Sequence, residues 1–355
     1  MNLIKPGSTI GIIGGGQLGK MLILAAASLG YNTIVYCDQK DSPAFSVANS
    51  FILAEYDDLS ALKEFADQCD VITFEFENIP HDSLAFLEEN SLVRPSKNSL
   101  FISQNRNREK EFMQKLSLPT TLFKKIIDKQ DLLQGIETLG FPCILKTAEL
   151  GYDGKGQISI SEEKDVNEAL ERLSGQEYIL EKKIDFEKEI SIIAARDDQD
   201  NFKAFSPFEN THKQGILQKT KSPADISQAL QNQAVQMTKT IMQELKHIGV
   251  LTVEFFVKEG KLLINEIAPR VHNSGHLTID ACFVSQFEQH IRAICSLNLI
   301  DPVLHTKAEM HNLIGEDVHD LTNLIMSPTI KVHLYGKKIV KQGRKMGHVT
   351  KLLFP

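Results

Sequence analysis

The sequence contains no apolar run that approaches the roughly 20 residues needed for a membrane-spanning helix. The apolar stretch near the N-terminus is interrupted by glycines and contains Gln17 and Lys20, which is not typical of a secretory signal peptide. We therefore expect a folded protein of the cytoplasm without a membrane partner.

The sequence also lacks a basic block: its formal net charge is −7 at pH 7, without the cationic patch that nucleic-acid binding requires. Cysteine is scarce, at five residues spread over the chain, and an odd number of widely spaced thiols argues against a disulfide framework. These absences exclude nucleic acid as a partner. They favour a reducing compartment in which the thiols pack in the core.

What is present fits an α/β chain of two or three domains, because 355 residues exceed one compact domain. Over about the first hundred residues, short apolar runs alternate with helical patterns, which predicts a parallel, doubly wound, Rossmann-like sheet. The polar pattern of Ser99–Leu116 predicts one helix. Further along, apolar runs at hairpin-like spacing predict a mostly antiparallel sheet.

A glycine-rich loop, Gly14-x-Gly16-x-x-Gly19, follows the first predicted strand and opens a helix. This context is typical of a dinucleotide site, and Asp38 lies about 20 residues on, where a ribose-binding acid belongs. NAD is therefore one interpretation. The other is a tight turn whose free helix amides bind any anion.

A second glycine-rich loop, Gly151–Gln157, lies between two predicted strands and contains Lys155. Its amides could close over phosphates, or it could be a wide hairpin loop. Lys146 lies inside the strand before it, where a buried ammonium needs an anionic partner. Together the loop and the lysine favour phosphate binding.

Two apolar runs on either side of residues 259–261 predict a β-hairpin. A three-residue loop would place Glu254 opposite Glu266, and a two-residue loop would pair Glu254 with Asn265. Glutamates facing each other in an apolar sheet indicate a cation between them, and oxygen ligands favour Mg²⁺. The alternative is that one carboxylate points to solvent.

The signals described so far lie in one order along nearly the whole chain. With a few further short motifs they are Gly14–Gly19, Glu75–Asn78, Asn105–Arg106, Lys146, Gly151–Gln157, Glu181–Ile184, Glu189, Glu254, Asn265–Glu266, Arg270–His276 and Gly343–His348. This set resembles the ATP-grasp carboxylases of purine biosynthesis. The Asn-Glu metal pair is general to ATP-grasp enzymes, whereas Glu75–Asn78, Gly151–Gln157 and His272–His276 are more specific.

The resemblance implies a mixed α/β and α+β architecture with an ATP-grasp fold. It implies a Rossmann-like domain at residues 1–103, an ATP-grasp domain at 104–300 with a lid at about 119–184, and a small β-rich domain at 301–355. The implied reaction carboxylates aminoimidazole ribonucleotide with bicarbonate and MgATP by way of carboxyphosphate, releasing ADP and phosphate. A homodimer is also implied.

The resemblance also implies roles for individual residues, in which Glu254 and Glu266 would hold the metal. ATP would contact Arg106, Lys146, Gly151, Tyr152, Asp153, Gly154, Lys155, Gly156, Gln157, Glu181, Lys182, Lys183, Ile184, Glu189, His212, Asn265 and Glu266. The ribonucleotide would contact Gly16, Gln17, Leu18, Glu75, Asn78, Tyr152, Lys155, Lys337, Arg344 and Lys345. The catalytic residues would be Asp153, which would handle the amine proton, with Arg270, His272, Asn273, Lys337 and Arg344.

One departure from the family pattern is visible, since Val271 stands where the family usually has proline. Two other activities stay open on these residues. A related ATP-grasp ligase, such as a formate-dependent glycinamide ribonucleotide transformylase, would share the nucleotide and metal residues. An NAD-dependent dehydrogenase would explain residues 10–38 but would leave Lys146, Glu254 and Glu266 without roles.

Overall fold

The structure, a computed structural model, describes residues 3–151, 156–319, 325 and 327–354. The N-terminal elements are β1 (Thr9–Ile13), α1 (Gln17–Ser28), β2 (Asn32–Cys37), β3 (Ser50–Leu53), α2 (Leu59–Asp67), β4 (Val71–Phe74), α3 (His81–Asn90) and α4 (Lys97–Ser103). The strands form a parallel sheet in the order β3-β2-β1-β4, here called the N-terminal sheet. This is the predicted Rossmann-like arrangement. It brings the glycine loop after β1 beside the residues that follow β4.

The next elements form a second, smaller sheet. They are α5 (Arg106–Lys115), β5 (Phe123–Ile126), α6 (Lys129–Leu139), β6 (Cys143–Thr147), β7 (Gln157–Ile160), α7 (Val166–Arg172) and β8 (Tyr178–Lys182). The strands pair antiparallel in the order β5-β8-β6-β7, and we call these strands with α6 and α7 the lid.

The predicted single helix Ser99–Leu116 is wrong, because the chain breaks between α4 and α5. Asn105 has extended backbone angles, and its side-chain oxygen accepts hydrogen bonds from the amides of Asn107 and Arg108. An asparagine that satisfies the free amides of a following helix begins that helix. The break turns α5 toward the lid and the large sheet described next.

The remaining elements build one large sheet and the helices that cover it. They are β9 (Lys188–Arg196), β10 (Phe202–Ala204), β11 (Phe208–Lys213), β12 (Ile216–Ser222), α8 (Gln228–Glu244), β13 (Gly249–Lys258), β14 (Lys261–Ala268), α9 (Thr278–Ala281), α10 (Gln286–Ile294), β15 (Lys307–Ile314), β16 (Ile330–Leu334) and β17 (Lys345–Leu353). The strand order is β14-β13-β9-β11-β12-β15-β17-β16, with β10 also paired to β9. The C-terminal strands thus continue the sheet of the preceding segment, and the domain boundaries at 103 and 300 stay predictions.

The large sheet is covered on both faces, as alternation along β9 illustrates. Ile192 lies in the apolar cluster with Ile241 of α8, whereas Ile193 lies in the cluster that contains Leu22 of α1 and Phe287 of α10. Successive side chains of a strand point to opposite faces, so a continuously apolar strand is buried between two layers. No helix within the described ranges is both long and apolar enough to cross a membrane.

Two fully buried histidines connect the N-terminal unit, which comprises β1 to α4, to the large sheet. His290 Nε2 lies 2.8 Å from Thr73 Oγ1, and its Nδ1 accepts a hydrogen bond from the amide of Val250 at 3.0 Å. His247 lies 3.1 Å from Ser99 Oγ and 3.0 Å from the carbonyl oxygen of Val250. Burial lowers the pKa of both histidines to about 3.

We predict that these histidines make the protein sensitive to mild acid. Below about pH 6.5 these histidines become protonated in the unfolded chain, whereas in the folded chain they stay neutral down to about pH 3. The free energy of unfolding therefore decreases as the pH is lowered. For His290 alone, the loss between pH 7 and pH 5 is about 2 kcal/mol. Urea midpoints at the two pH values should therefore differ less for His290→Gln than for the parent chain. The matched control is His81→Gln, because His81 is exposed, and equal pH dependence in all three proteins would contradict the prediction.

Candidate active site

A cavity of about 1070 Å³ lies between the N-terminal unit, the lid and the large sheet. Most of the predicted site residues line it. They are Gln17, Leu18, Glu75, Asn78, Arg106, Lys146, Gly151, Gln157, Lys183, Glu189, His212, Glu254, Asn265, Glu266, Arg270, His272, Asn273 and Lys345. The cavity therefore collects residues from distant parts of the sequence.

The carboxylates predicted to bind metal lie on the β13–β14 hairpin. Lys258 pairs with Lys261, so the turn has two residues, and both Glu259 and Gly260 have positive φ. A two-residue turn alone would pair Glu254 with Asn265, but a β-bulge adds one residue to β14 and Glu254 faces Glu266. The predicted pairing is observed, through a bulge rather than a three-residue loop. Bulges next to active sites redirect side chains in this way.

The electrostatics of this pair suit a divalent cation. Burial and the facing charge of Glu266 raise the pKa of Glu254, which shows the cost of placing two carboxylates together. Burial also opposes ionisation of Glu266, but Arg106 and Lys146 lower its pKa. Glu254, Glu266 and the amide of Asn265 offer hard oxygen donors, which fit Mg²⁺. Within the described ranges no group of three or more His, Cys, Asp or Glu residues could hold a metal.

Cations face this pair from α5 and the lid. Arg106 contacts Glu266 Oε2 at 3.2 Å and donates to the carbonyl oxygen of Gly151 at 3.1 Å. Lys146 Nζ lies 3.2 Å from Glu181 Oε1. Burial opposes ionisation of Glu181, yet Lys146 and the neighbouring cations lower its pKa to about 2. Lys146 thus has the anionic partner that a buried lysine requires, and Glu181 lies beside that lysine rather than lining the cavity.

Aromatic and polar groups line the far end of the cavity. Phe186 and Phe256 stack with ring centroids 4.6 Å apart. His212 Nδ1 lies 2.7 Å from Glu189 Oε2. Burial alone would lower the pKa of His212, but the hydrogen bond to Glu189 and the nearby carboxylates raise it.

The opposite end contains the loops after β1, β4 and β14. Glu75 accepts hydrogen bonds from the amides of Gly16 at 2.6 Å and Gly19 at 3.1 Å. The acceptor at this helix N-terminus is therefore the protein's own carboxyl group; burial raises the pKa of Glu75, and the two amides oppose that shift. A Cβ atom on Gly16 would lie 2.5 Å from Glu75 Oε1, which explains the need for glycine. Gly16 itself does not line the cavity, whereas Gln17 and Leu18 do.

Three of the predicted catalytic residues, Arg270, His272 and Asn273, lie in the loop after β14. Arg270 contacts Glu77 Oε1 at 2.9 Å, and His272 Nε2 lies 3.6 Å from Glu254 Oε1. Burial, followed by the charges of Arg270 and Lys345, lowers the pKa of His272 well below its usual value. Asn273 donates a side-chain hydrogen bond to Asn312 Oδ1 at 3.0 Å.

Comparison with known proteins identifies the family. Three family models match in chain order: a ribonucleotide synthetase preATP-grasp domain at residues 7–104, an ATP-grasp domain at 111–287 and a phosphoribosylaminoimidazole carboxylase C-terminal domain at 308–353. N5-carboxyaminoimidazole ribonucleotide synthase of Brucella melitensis is 46% identical over 352 residues, covering 98% of this chain and 97% of that protein. The chain belongs to the N5-carboxyaminoimidazole ribonucleotide synthase family.

Solved structures agree with this assignment. The synthetase of Staphylococcus aureus complexed with ADP has a TM-score of 0.95 at 40% identity, covering 99% of this chain and 95% of that chain. The synthase of Aspergillus clavatus in complex with ADP and 5-aminoimidazole ribonucleotide has a TM-score of 0.91 at 28% identity, covering 98% and 94%. The predicted family and ATP-grasp fold are therefore confirmed.

Membership of the synthase family decides between the activities that the sequence leaves open. The chain is an ATP-grasp ligase that carries out ATP-dependent carboxylation of aminoimidazole ribonucleotide in purine biosynthesis. The glycine loop after β1 accordingly belongs to a preATP-grasp domain, not to the NAD site of a dehydrogenase.

Several of the residues predicted for the synthase site do not line the cavity. Lys337 donates to the carbonyl oxygen of Lys345 at 2.8 Å, and Arg344 donates to that of Ile339 at 2.8 Å. Lys182 donates to the carbonyl oxygen of Phe141 at 2.8 Å. Neither these cations nor Gly156 and Ile184 are among the residues that line the cavity. Tyr152, Asp153, Gly154 and Lys155 lie outside the described residues, so their predicted roles stay predictions.

Glu109 and Lys110 of α5 are important residues that sequence reasoning missed. Lys110 Nζ donates to the carbonyl oxygens of Ile264 at 3.2 Å and Asn265 at 2.6 Å, and Glu109 Oε1 accepts from the amide of Ile267. β14 is the edge strand of the large sheet, so its outward backbone groups lack strand partners, and these buried side chains satisfy them. The available signal was α5 itself, which has few apolar residues for a packed helix.

Proposed function

We propose that the chain uses bicarbonate as its carbon donor and that carboxyphosphate is the intermediate. The relatives from Staphylococcus aureus and Aspergillus clavatus bind ADP, and the latter also binds 5-aminoimidazole ribonucleotide. We place the nucleotide and the ribonucleotide of this chain at opposite ends of the shared cavity. The observation that carries the proposal is the bulged hairpin, because it pairs Glu254 with Glu266, and Glu266 contacts Arg106, one of the cations that would hold ATP phosphates.

The nucleotide would lie between the lid and the large sheet. Lys146 and Arg106 would bind its phosphates, and the stacked rings of Phe186 and Phe256 offer an apolar surface for the base. Glu254, Glu266 and Asn265 would hold Mg²⁺, with phosphate oxygens completing its coordination shell. When bound, the ion would neutralise phosphate charge during phosphoryl transfer.

Bicarbonate is a poor electrophile, so it must be activated before its carbon can be transferred. A bicarbonate oxygen would attack the γ-phosphorus of ATP, the bond from that phosphorus to ADP would break, and carboxyphosphate would form. Lys146 and Arg106 would stabilise the charge on the transferred group, while Arg270 and His272 would hold the bicarbonate oxygens.

Carboxyphosphate would then release CO₂ and phosphate within the closed cavity. The amine nitrogen of the ribonucleotide would attack CO₂ and lose a proton to give the N-carboxylated product. Asp153 remains our candidate for accepting that proton. Gln17, Glu75, Asn78 and Lys345 would hold the ribonucleotide beside Arg270.

The proposal is tested by measuring ADP release from MgATP with ribonucleotide and bicarbonate, omitting each in turn. We expect release to require the ribonucleotide and to fall when bicarbonate is depleted. Release that is unaffected by bicarbonate depletion would contradict the proposed carbon donor. The homodimer and the cytoplasmic location inferred for the family also stay predictions, and sedimentation of the purified chain tests the first.

A further inference from the structure

A chain of buried polar side chains runs across the large sheet and ends at His272. Thr220 Oγ1 donates to Asn210 Oδ1 at 2.9 Å, and Asn210 Nδ2 donates to Ser191 Oγ at 3.1 Å. Ser191 Oγ lies 2.8 Å from Ser274 Oγ, which lies 2.9 Å from His272 Nδ1. The four residues before His272 are buried, with exposed fractions of 6% or less.

The direction of this chain follows from the number of protons each group carries. A serine hydroxyl has one proton to donate. Because Ser191 Oγ accepts a hydrogen bond from the side-chain amide of Asn210, the hydroxyl proton of Ser191 is available for Ser274 Oγ. Ser274 in turn has its proton available for His272 Nδ1. The backbone amide of Ser274 also donates to Nδ1, at 3.3 Å.

Both groups that face Nδ1 of His272 are therefore donors. A proton on Nδ1 would point at the N–H group of Ser274, so Nδ1 must act as an acceptor. In a neutral imidazole with an acceptor at Nδ1, the proton is on Nε2. Nε2 faces the cavity, 3.6 Å from Glu254 Oε1.

The backbone of His272, which carries the ring, is also held by hydrogen bonds. Gln286 Oε1 accepts from the amide of His272 at 2.8 Å, and Gln286 Nε2 donates to its carbonyl oxygen at 2.6 Å. A Cβ atom on Gly275 would lie 2.4 Å from Ile193 Cδ1, so the loop is packed tightly against β9. The ring is thus held by the contacts at Nδ1 and by a backbone that Gln286 keeps in place.

We propose that the chain from Asn210 through Ser191 and Ser274 fixes His272 as the Nε2–H tautomer, so that His272 donates a hydrogen bond to the substrate oxyanion instead of acting as a base. The tautomer rests on the hydrogen bonds alone. The identity of the oxyanion, bicarbonate or the carboxylate of carboxyphosphate, rests on the proposed function. Asn210, Ser191 and Ser274 are positioning residues, because they act through His272. A donor held in place before the reaction stabilises developing negative charge without reorganisation.

The test measures the tautomer of His272 by NMR and the KM for bicarbonate of variants. Protein labelled with ¹⁵N-histidine is measured by two-bond ¹H–¹⁵N correlation, and His272→Asn assigns the His272 signals. We expect the parent chain to show a protonated Nε2 and an unprotonated Nδ1. A protonated Nδ1 in the parent chain would overturn the proposal, whatever the activity.

Asn210→Asp tests the role of the hydrogen-bonded side chains by reversing the direction of their hydrogen bonds. An ionised aspartate only accepts, so Ser191 would donate to residue 210 and Ser274 would donate to Ser191. The backbone amide of Ser274 would then be the one remaining donor of this group to Nδ1 of His272. We expect the KM for bicarbonate to rise about ten- to a hundredfold, with the KM for ATP unchanged, because a hydrogen bond to a charged group is lost. Thr220→Val is the control, since it keeps the shape of residue 220 and leaves the donor of Asn210 to Ser191 in place.

The outcomes are separable. An unchanged bicarbonate KM in folded Asn210→Asp would overturn the positioning role of the chain. If Asn210→Asp does not fold, Ser274→Ala replaces it; we expect the same selective rise in the KM for bicarbonate, and an unchanged KM would overturn the role. ADP release that does not depend on bicarbonate contradicts the proposed function, while the parent spectrum still decides the tautomer.

Discussion

Glu266→Gln is expected to lower carboxylation turnover about 10²–10³-fold while the protein stays folded. Glu266 faces Glu254 across the bulge and contacts Arg106 at 3.2 Å, so it lies between the second carboxylate and the cations of the phosphate side. Glutamine keeps the shape of the side chain but removes the charge that a divalent cation requires. Turnover at saturating substrates measures the effect.

Binding experiments separate this role from a structural one. The stabilisation of the parent chain by ADP should increase when Mg²⁺ is added, and Glu266→Gln should lose that increase. The matched control is Glu259→Gln, the same substitution at the exposed turn of the same hairpin. Turnover of Glu266→Gln equal to that of Glu259→Gln would refute the assignment of Glu266 as a metal ligand.

Lys110→Met is expected to destabilise the fold by about 3–5 kcal/mol, because it leaves buried charge without a partner. Lys110 is 1% exposed and binds the carbonyl oxygens of Ile264 and Asn265. Burial lowers its pKa, and the neighbouring carboxyl groups of Glu181 and Glu109 oppose that shift. Methionine fills the same space but cannot donate to the bulge. The urea midpoint of the apo protein measures the loss.

The same substitution at Lys115, an exposed position of the same helix, provides the control. Lys115→Met should keep the parental free energy of unfolding to within about 0.5 kcal/mol. Where enough Lys110→Met protein stays folded, ADP should bind it more weakly in the presence of Mg²⁺, since the bulge that aims Asn265 and Glu266 has lost its support. Equal midpoints for the two variants would show that the bulge does not need the buried ammonium.

Local patterns in the sequence predicted the units of the fold. The parallel N-terminal sheet, the antiparallel sheets and the hairpin at 259–261 follow from the spacing of apolar residues, which alternation and turn chemistry convert directly into strands. The same patterns failed at Ser99–Leu116. There a single capping asparagine divides a continuous polar pattern into two helices.

The site was predicted in part for the same reason. Glycines in a tight loop, a lysine inside a strand and glutamates in an apolar hairpin violate local expectation, and such violations concentrate at functional sites. They indicated phosphate and metal chemistry before any contact was known. Resemblance to a family then supplied the substrate, which no pattern of residues states by itself.

The sequence by itself therefore determined most of the elements, the family and half of the residues that line the cavity. Tertiary structure alone decided the bulge that pairs Glu254 with Glu266, the occupation of the glycine loop by Glu75 and the direction of the hydrogen bonds that end at His272. The physical reason is distance along the chain. A periodic pattern reports which face of an element is buried, but the partner of a buried charge or amide comes from another element, and only packing brings the two together.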